Sequence, residues 1–114
     1  MALSEIEKKR CEKIVGTYIE KHRPPAHIRP ELDIGFRVKE HSVEIFEIRP
    51  VWRNPKEKME NPVAKATYVK THNLWKVYWQ RANMKWYPYE PAEVSRLEDF
   101  LELVEHDQYG CFWG

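Results

Sequence analysis

Cysteine, glycine and long apolar runs are all scarce in this chain, and each shortage removes a class of protein. The two cysteines, Cys11 and Cys111, sit near opposite ends. They are too few and too distant for the disulfide framework of a small secreted domain, so reduced thiols are expected. The four glycines are isolated from one another, which leaves no Gly-rich loop to cradle a phosphate and argues against nucleotide hydrolysis. Apolar stretches such as Val77-Tyr78-Trp79 and Phe112-Trp113 fall far short of the roughly 20 residues that a membrane helix needs. Met1 to Glu5 leads directly into a charged helical pattern, unlike the basic and apolar segments of a secretory signal, so a cytoplasmic location is expected. His22, His27, His72 and His106 are dispersed and neither cysteine has a close partner ligand, so neither a metal nor any other cofactor is expected.

What the chain does contain is ordinary for a folded domain: 114 residues, 42% apolar and 32% charged, too apolar for disorder and short enough for one core over residues 1–114. Ser4 with Glu7 three residues on forms a capping box for a helix from Glu5 to about Lys21, stopped by Pro24 and Pro25. Ile34, Phe36 and Val38 alternate with polar residues as in a half-buried strand. From Val43 to Ile48 the alternation changes phase, which implies cover on both faces or a bulge. Pro50, Pro55 and Pro62 lie among charged residues, so residues 49–62 read as a mobile Pro-rich loop with Trp52 as its anchor. Ala64 to Lys70, Leu74 to Ala82 and Met84 to Tyr89 then read as three strands. Ser95 and Glu98 suggest a second capping box, before Leu97, Phe100, Leu101 and Val104 at helical spacing. The expected fold is α+β: an N-terminal helix, an antiparallel meander of about five strands, and a C-terminal helix packed on the sheet.

Charge is divided sharply along the chain. Between Pro62 and Tyr89 stand Lys65, Lys70, Lys76, Arg81 and Lys85 with no carboxylate, whereas the residues from Glu90 onward carry seven carboxylates against Arg96 alone. The basic stretch also holds Tyr68, Trp75, Tyr78, Trp79, Trp86, Tyr87 and Tyr89. Nucleic-acid readers combine these residue types, because cations neutralise phosphates and flat rings stack on unpaired bases. The structural alternative is that the aromatics are strand formers facing a core, and that the acidic C-terminal helix neutralises the basic sheet internally. Alternation places Trp75, Val77 and Trp79 on one face and Lys76, Tyr78 and Gln80 on the other.

The segments Pro62-Val63-Ala64-Lys65, Leu74 through Trp86 and Gly110-Cys111-Phe112-Trp113-Gly114 resemble the bacterial family of domain-of-unknown-function proteins numbered 3024. The likeness lies mainly in Arg49 to Gly114. It implies a bacterial cytosolic setting and no assigned activity. It also implies Asp, His and Phe at positions where this chain has Asn83, Tyr87 and Trp113. A reactive carboxylate and imidazole beside Arg81 and Lys85 in relatives would therefore be lost here.

No positioned nucleophile, base or metal cluster stands out from the sequence. His41 with Glu44, and Glu44 with Glu47 and Lys65, are the nearest approaches to metal or nuclease chemistry, and both are expected to be solvated or salt-bridged instead. If the last hairpin met the long loop, Arg49, Arg81 and Lys85 would form an anion site walled by Trp52 and Trp86. The residues expected to bind are thus Arg49, Trp52, Lys65, Lys76, Tyr78, Arg81, Lys85 and Trp86. The reading is a non-catalytic binding module for an anionic partner such as nucleic acid. A protein-interaction or homodimerisation domain is the alternative, and a small hydrolase or nuclease ranks last.

Overall fold

The computed structural model describes residues 3–113. The chain runs α1 (Glu5–His22), β1 (Asp33–Lys39), β2 (Ser42–Val51), β3 (Asn54–Val69), β4 (Leu74–Gln80), β5 (Trp86–Val94) and α2 (Leu97–His106). The strands form one antiparallel sheet in the order β1-β2-β3-β4-β5, the α+β meander expected from the pattern.

Each helix begins where local chemistry satisfies free backbone donors. Ser4 Oγ accepts from the Glu7 N–H at 3.2 Å and Glu7 returns a bond to the Ser4 N–H at 2.9 Å, closing the capping box at α1. That hydrogen bonding holds the Glu7 carboxyl below its ordinary range. For α2 the sequence expectation is off by one residue. Arg96 rather than Ser95 is the cap, and Asp99 accepts from the Arg96 N–H at 3.2 Å and from Arg96 Nη2 at 3.1 Å.

Both helices lie on one face of the sheet. Cys11, Val15 and Ile19 of α1 and Phe100, Leu101 and Val104 of α2 share a core with Val43, Ile45, Ala64, Ala66, Trp75, Val77 and Tyr89. Ala64 and Ala66 are small residues on the central strand with no accessible surface, and they let helical side chains approach the sheet closely. The helices are also tied to each other. The His22 ring nitrogens face the Tyr18 carbonyl at 2.9 Å and the Glu105 carboxylate at 3.0 Å, an interaction that holds Glu105 below the usual carboxylate range. Tyr18, stacked on His22, is pushed up to about 12, first by burial and then by Glu105. After α2, the Asp107 carboxylate accepts from the Phe112 and Trp113 N–H groups, each at 3.0 Å, and folds the C-terminal residues back on Tyr89.

Residues 49–62 are not a loop. Pro50 pairs with Lys58 and Arg49 with Met59, so past the Asp33–Ile48 pair β2 and β3 continue as a two-stranded arm beyond the ends of β1 and β4. The three prolines mislead because proline is excluded only where a strand must donate on both sides. Each arm strand has one free edge, Pro62 stands at the register shift opposite Ile45 and Phe46, and Pro55 lies within the shift between Pro50 and Val51. Pro88 and Pro91 are accommodated in β5 for the same reason, since β5 is an edge strand.

The phase change in β2 marks apolar residues on both faces of the strand, and the bulge at this point belongs to its neighbour β3. Val63 is an extra residue on β3, because Ile45 pairs with Ala64 and Phe46 with Pro62. Meanwhile Phe46 is buried away from the main core, on the sheet face opposite the helices. It lies across its register partner Gly35, with the Arg37 guanidinium 4.6 Å above the ring. A Cβ at position 35 would stand 2.8 Å and 3.0 Å from atoms of the Phe46 ring and 3.4 Å from Ile48 Cδ1. Gly35→Ala is therefore expected to displace Phe46 and cost about 1–2 kcal/mol, visible as a lowered thermal midpoint. An unchanged midpoint would mean that the ring shifts without loss.

Candidate binding surface

The face opposite the helices carries the outward residues of all five strands, and register aligns them in rows. One row runs Arg37, Glu44, Lys65, Tyr78 and Pro88, and the next runs Lys39, Ser42, Thr67, Lys76 and Glu93. Lys65 Nζ stands 5.1 Å from the Tyr78 ring centre and 4.8 Å from that of Trp86. The ammonium thus bridges two half-buried aromatic rings, and cation–π attraction fixes their relative placement. Beside Tyr78, the irregular pairing between β4 and β5 leaves a shallow recess of about 200 Å³ lined by Lys76, Val77, Tyr78, Pro88, Ala92 and Glu93.

The carboxylates on this face are partly engaged. Glu60 is ion-paired with Arg37, and Glu44 lies between its register partners Arg37 and Lys65. Among the described residues, none of Lys65, Lys70, Lys76, Arg81 and Lys85 has a carboxylate within ion-pairing distance; the ion pairs join His22–Glu105, Arg23–Glu20, Arg23–Asp33, Arg37–Glu60, Arg49–Glu47 and Arg96–Asp99. The internal neutralisation expected from the acidic C-terminal segment does not take the form of direct pairs. For the carboxylates of α2 the reason is geometric, since α2 packs on one face of the sheet while Lys65 and Lys76 project from the other. Glu93 of β5 is the register partner of Lys76 on that open face but is not within ion-pairing distance of it.

Lys65, Lys76, Tyr78 and Trp86 are therefore brought onto one surface. Arg81 and Lys85 sit, exposed, in the β4–β5 turn. Arg81 lies 5.7 Å and 4.9 Å from the ring centres of Trp79 and Tyr87, residues that alternate onto the helix side of the sheet. Asn83 Nδ2 donates to the Tyr87 hydroxyl at 2.9 Å, so positions 83 and 87 meet across this turn. Arg49 faces Glu47 at 3.5 Å. Trp52 occupies the tip of the arm, 84% exposed, and does not wall a pocket with Trp86. Phe46 under Arg37 was not anticipated as part of this surface, although the phase change in β2 is its signature in the sequence.

Other chemistry is poorly provided for. Alternation sends Glu44 and Glu47 to opposite faces of β2, so they do not join Lys65 in one cluster. Among the described residues no three His, Cys, Asp or Glu side chains converge as metal ligands. Burial pushes the thiols of Cys11 and Cys111 up, away from the reactive thiolate. No described helix is long and apolar enough to cross a membrane.

A family model described as a domain of unknown function, DUF3024, matches residues 3–114. The chain belongs to the DUF3024 family. The match takes in α1 as well as the C-terminal half in which the resemblance was concentrated, so this DUF3024 chain is a family member over nearly its whole length. Comparison with curated proteins and with solved structures finds no match.

Proposed function

We propose that this DUF3024 domain is a non-catalytic, cytoplasmic binding module whose open sheet face takes up an anionic partner, single-stranded nucleic acid. The observation that carries the reading is the Lys65 ammonium between Tyr78 and Trp86 on the face that neither α1 nor α2 covers. A base stacked on an exposed part of these rings contributes about 1–3 kcal/mol. Lys65 and Lys76 supply phosphate contacts, and the recess beside Tyr78 is roomy enough to receive part of a base.

Fluorescence anisotropy with labelled single-stranded oligonucleotides tests this. Affinity is expected to fall as salt rises, with a log–log slope of roughly −0.7 for each phosphate neutralised. Lys76→Ala, at an exposed position, should make that slope shallower by about one contact. Trp86→Ala should weaken binding about 5- to 100-fold, with circular dichroism verifying that the sheet persists. Absence of binding at low salt would overturn the proposal. A dimer seen by light scattering and broken by the same Trp86 substitution would assign the face to a second copy of the chain instead.

A further inference from the structure

The tip of the β2–β3 arm lies outside the hydrophobic core. Trp52 is 84% exposed and Met59 43%, and the indole's cationic neighbour is Arg53, 5.5 Å from its ring. A large aromatic side chain left in water forgoes the burial that normally justifies it. Its surroundings are basic, with Arg49, Arg53, Lys56 and Lys58 on the arm against Glu57 and Glu60. Several of these charges are already engaged: Arg49 with Glu47, Glu60 with Arg37, and Lys58 Nζ with the Pro30 carbonyl. Arg53 and Lys56, the cations nearest the tip, have no carboxylate within ion-pairing distance among the described residues.

The arm also continues the open face. From the Phe46–Pro62 pair, β2 runs five residues to Val51 before the turn, about 17 Å at strand rise. Trp86 lies three strand positions across the sheet from β2, about 14 Å. Val51, next to Trp52, is thus roughly 22 Å from Trp86, a span of about six to seven nucleotides at the stacked rise of a single strand.

Resting on the reading of the open face above, we propose that the arm is a second anchor for the same strand, with Trp52 stacking on a base and Arg53 and Lys56 meeting the phosphates beside it. Charge complementarity favours an anionic ligand, and continuity with the Lys65–Tyr78–Trp86 surface favours one polymer running over both. A bilayer is the less suitable partner, because a single indole at the tip offers little apolar area to insert.

The full chain and its Trp52→Ala variant are compared on single-stranded oligonucleotides of about four and about twelve residues. The short oligonucleotide should bind both proteins alike, whereas the long one should lose about 5- to 50-fold in affinity to the variant. Trp52→Phe, which keeps a ring that can stack, should recover most of that loss. Equal binding of the long oligonucleotide by wild type and Trp52→Ala would overturn the arm and leave the face intact. If Trp52→Ala weakens both lengths while Trp86→Ala weakens neither, the open-face reading falls and the arm alone is the site. Wild-type protein that binds neither length overturns both. Binding to vesicles of anionic lipid, lost in Trp52→Ala and unaccompanied by oligonucleotide binding, would assign the tip to a membrane surface.

Discussion

Phe100→Ala is expected to destabilise the domain by about 3–5 kcal/mol, the cost of deleting a large side chain from a site that can collapse only partly. Phe100 has no accessible surface and is the largest fully buried side chain, held in the same core as Val15 of α1, Val43, Ile45 and Val77 of the sheet, and Val104 of its own helix. Domains of this size are stable by only about 5–15 kcal/mol, so the loss removes a large part of the total. Urea denaturation measures it as a fall in the midpoint with an unchanged slope. A loss below about 1 kcal/mol would show that the helices can settle into the space. Because Phe100 is on the helix side, the variant should bind oligonucleotides normally wherever it remains folded. That separates damage to the scaffold from damage to the surface.

Asp33→Ala is expected to cost about 2–4 kcal/mol near neutral pH. Asp33 closes the connection between α1 and β1 by accepting from Arg23 Nε at 3.0 Å, from Arg23 Nη2 at 2.7 Å and from the Ile34 N–H at 2.8 Å. Its side chain is only 14% exposed. The Arg23 hydrogen bonds, aided by the Ile34 N–H, hold the Asp33 carboxyl below its ordinary range even though burial opposes them. Since the folded pKa is depressed, this contribution is complete above the unfolded value of about 3.9 and is lost as pH falls below it through the folded pKa. Denaturation midpoints followed from neutral pH into acid should therefore show wild type converging on Asp33→Ala at the acid end. A gap between the two proteins that stayed constant with pH would show that Asp33 acts through packing and not through its charge.

Together the two predictions divide the molecule into a scaffold side and a surface side. Substitutions at Phe100 or Asp33 act through stability, whereas those at Lys76, Trp86 and Trp52 should act on binding. Trp52 is the cleanest of these positions, because a residue so exposed contributes little to the fold.

Much of the architecture was legible in residue order. The Ser4–Glu7 box, the prolines after α1 and the alternation of Trp75, Val77 and Trp79 with Lys76, Tyr78 and Gln80 report on local backbone chemistry and on one-sided burial. Both are short-range properties. The arm was not legible, because whether a proline breaks a strand depends on which of its edges is paired, and that is set by where β1 and β4 end. The start of α2 was missed by one residue because Asp99 could serve a cap at position 96 as readily as Glu98 could serve Ser95.

The candidate surface divides along the same line. That basic and aromatic residues crowd into Lys65 to Tyr89, and that alternation splits them between two faces, was determined by the sequence alone, since the two-residue period of a strand follows from its covalent geometry. Which face the helices cover, that Lys65 reaches both Tyr78 and Trp86, and that the acidic helix lies on the other side from Lys65 and Lys76 were decided only by the tertiary structure. Those relations join residues on different strands and different layers, and register and packing, which act at long range, set them.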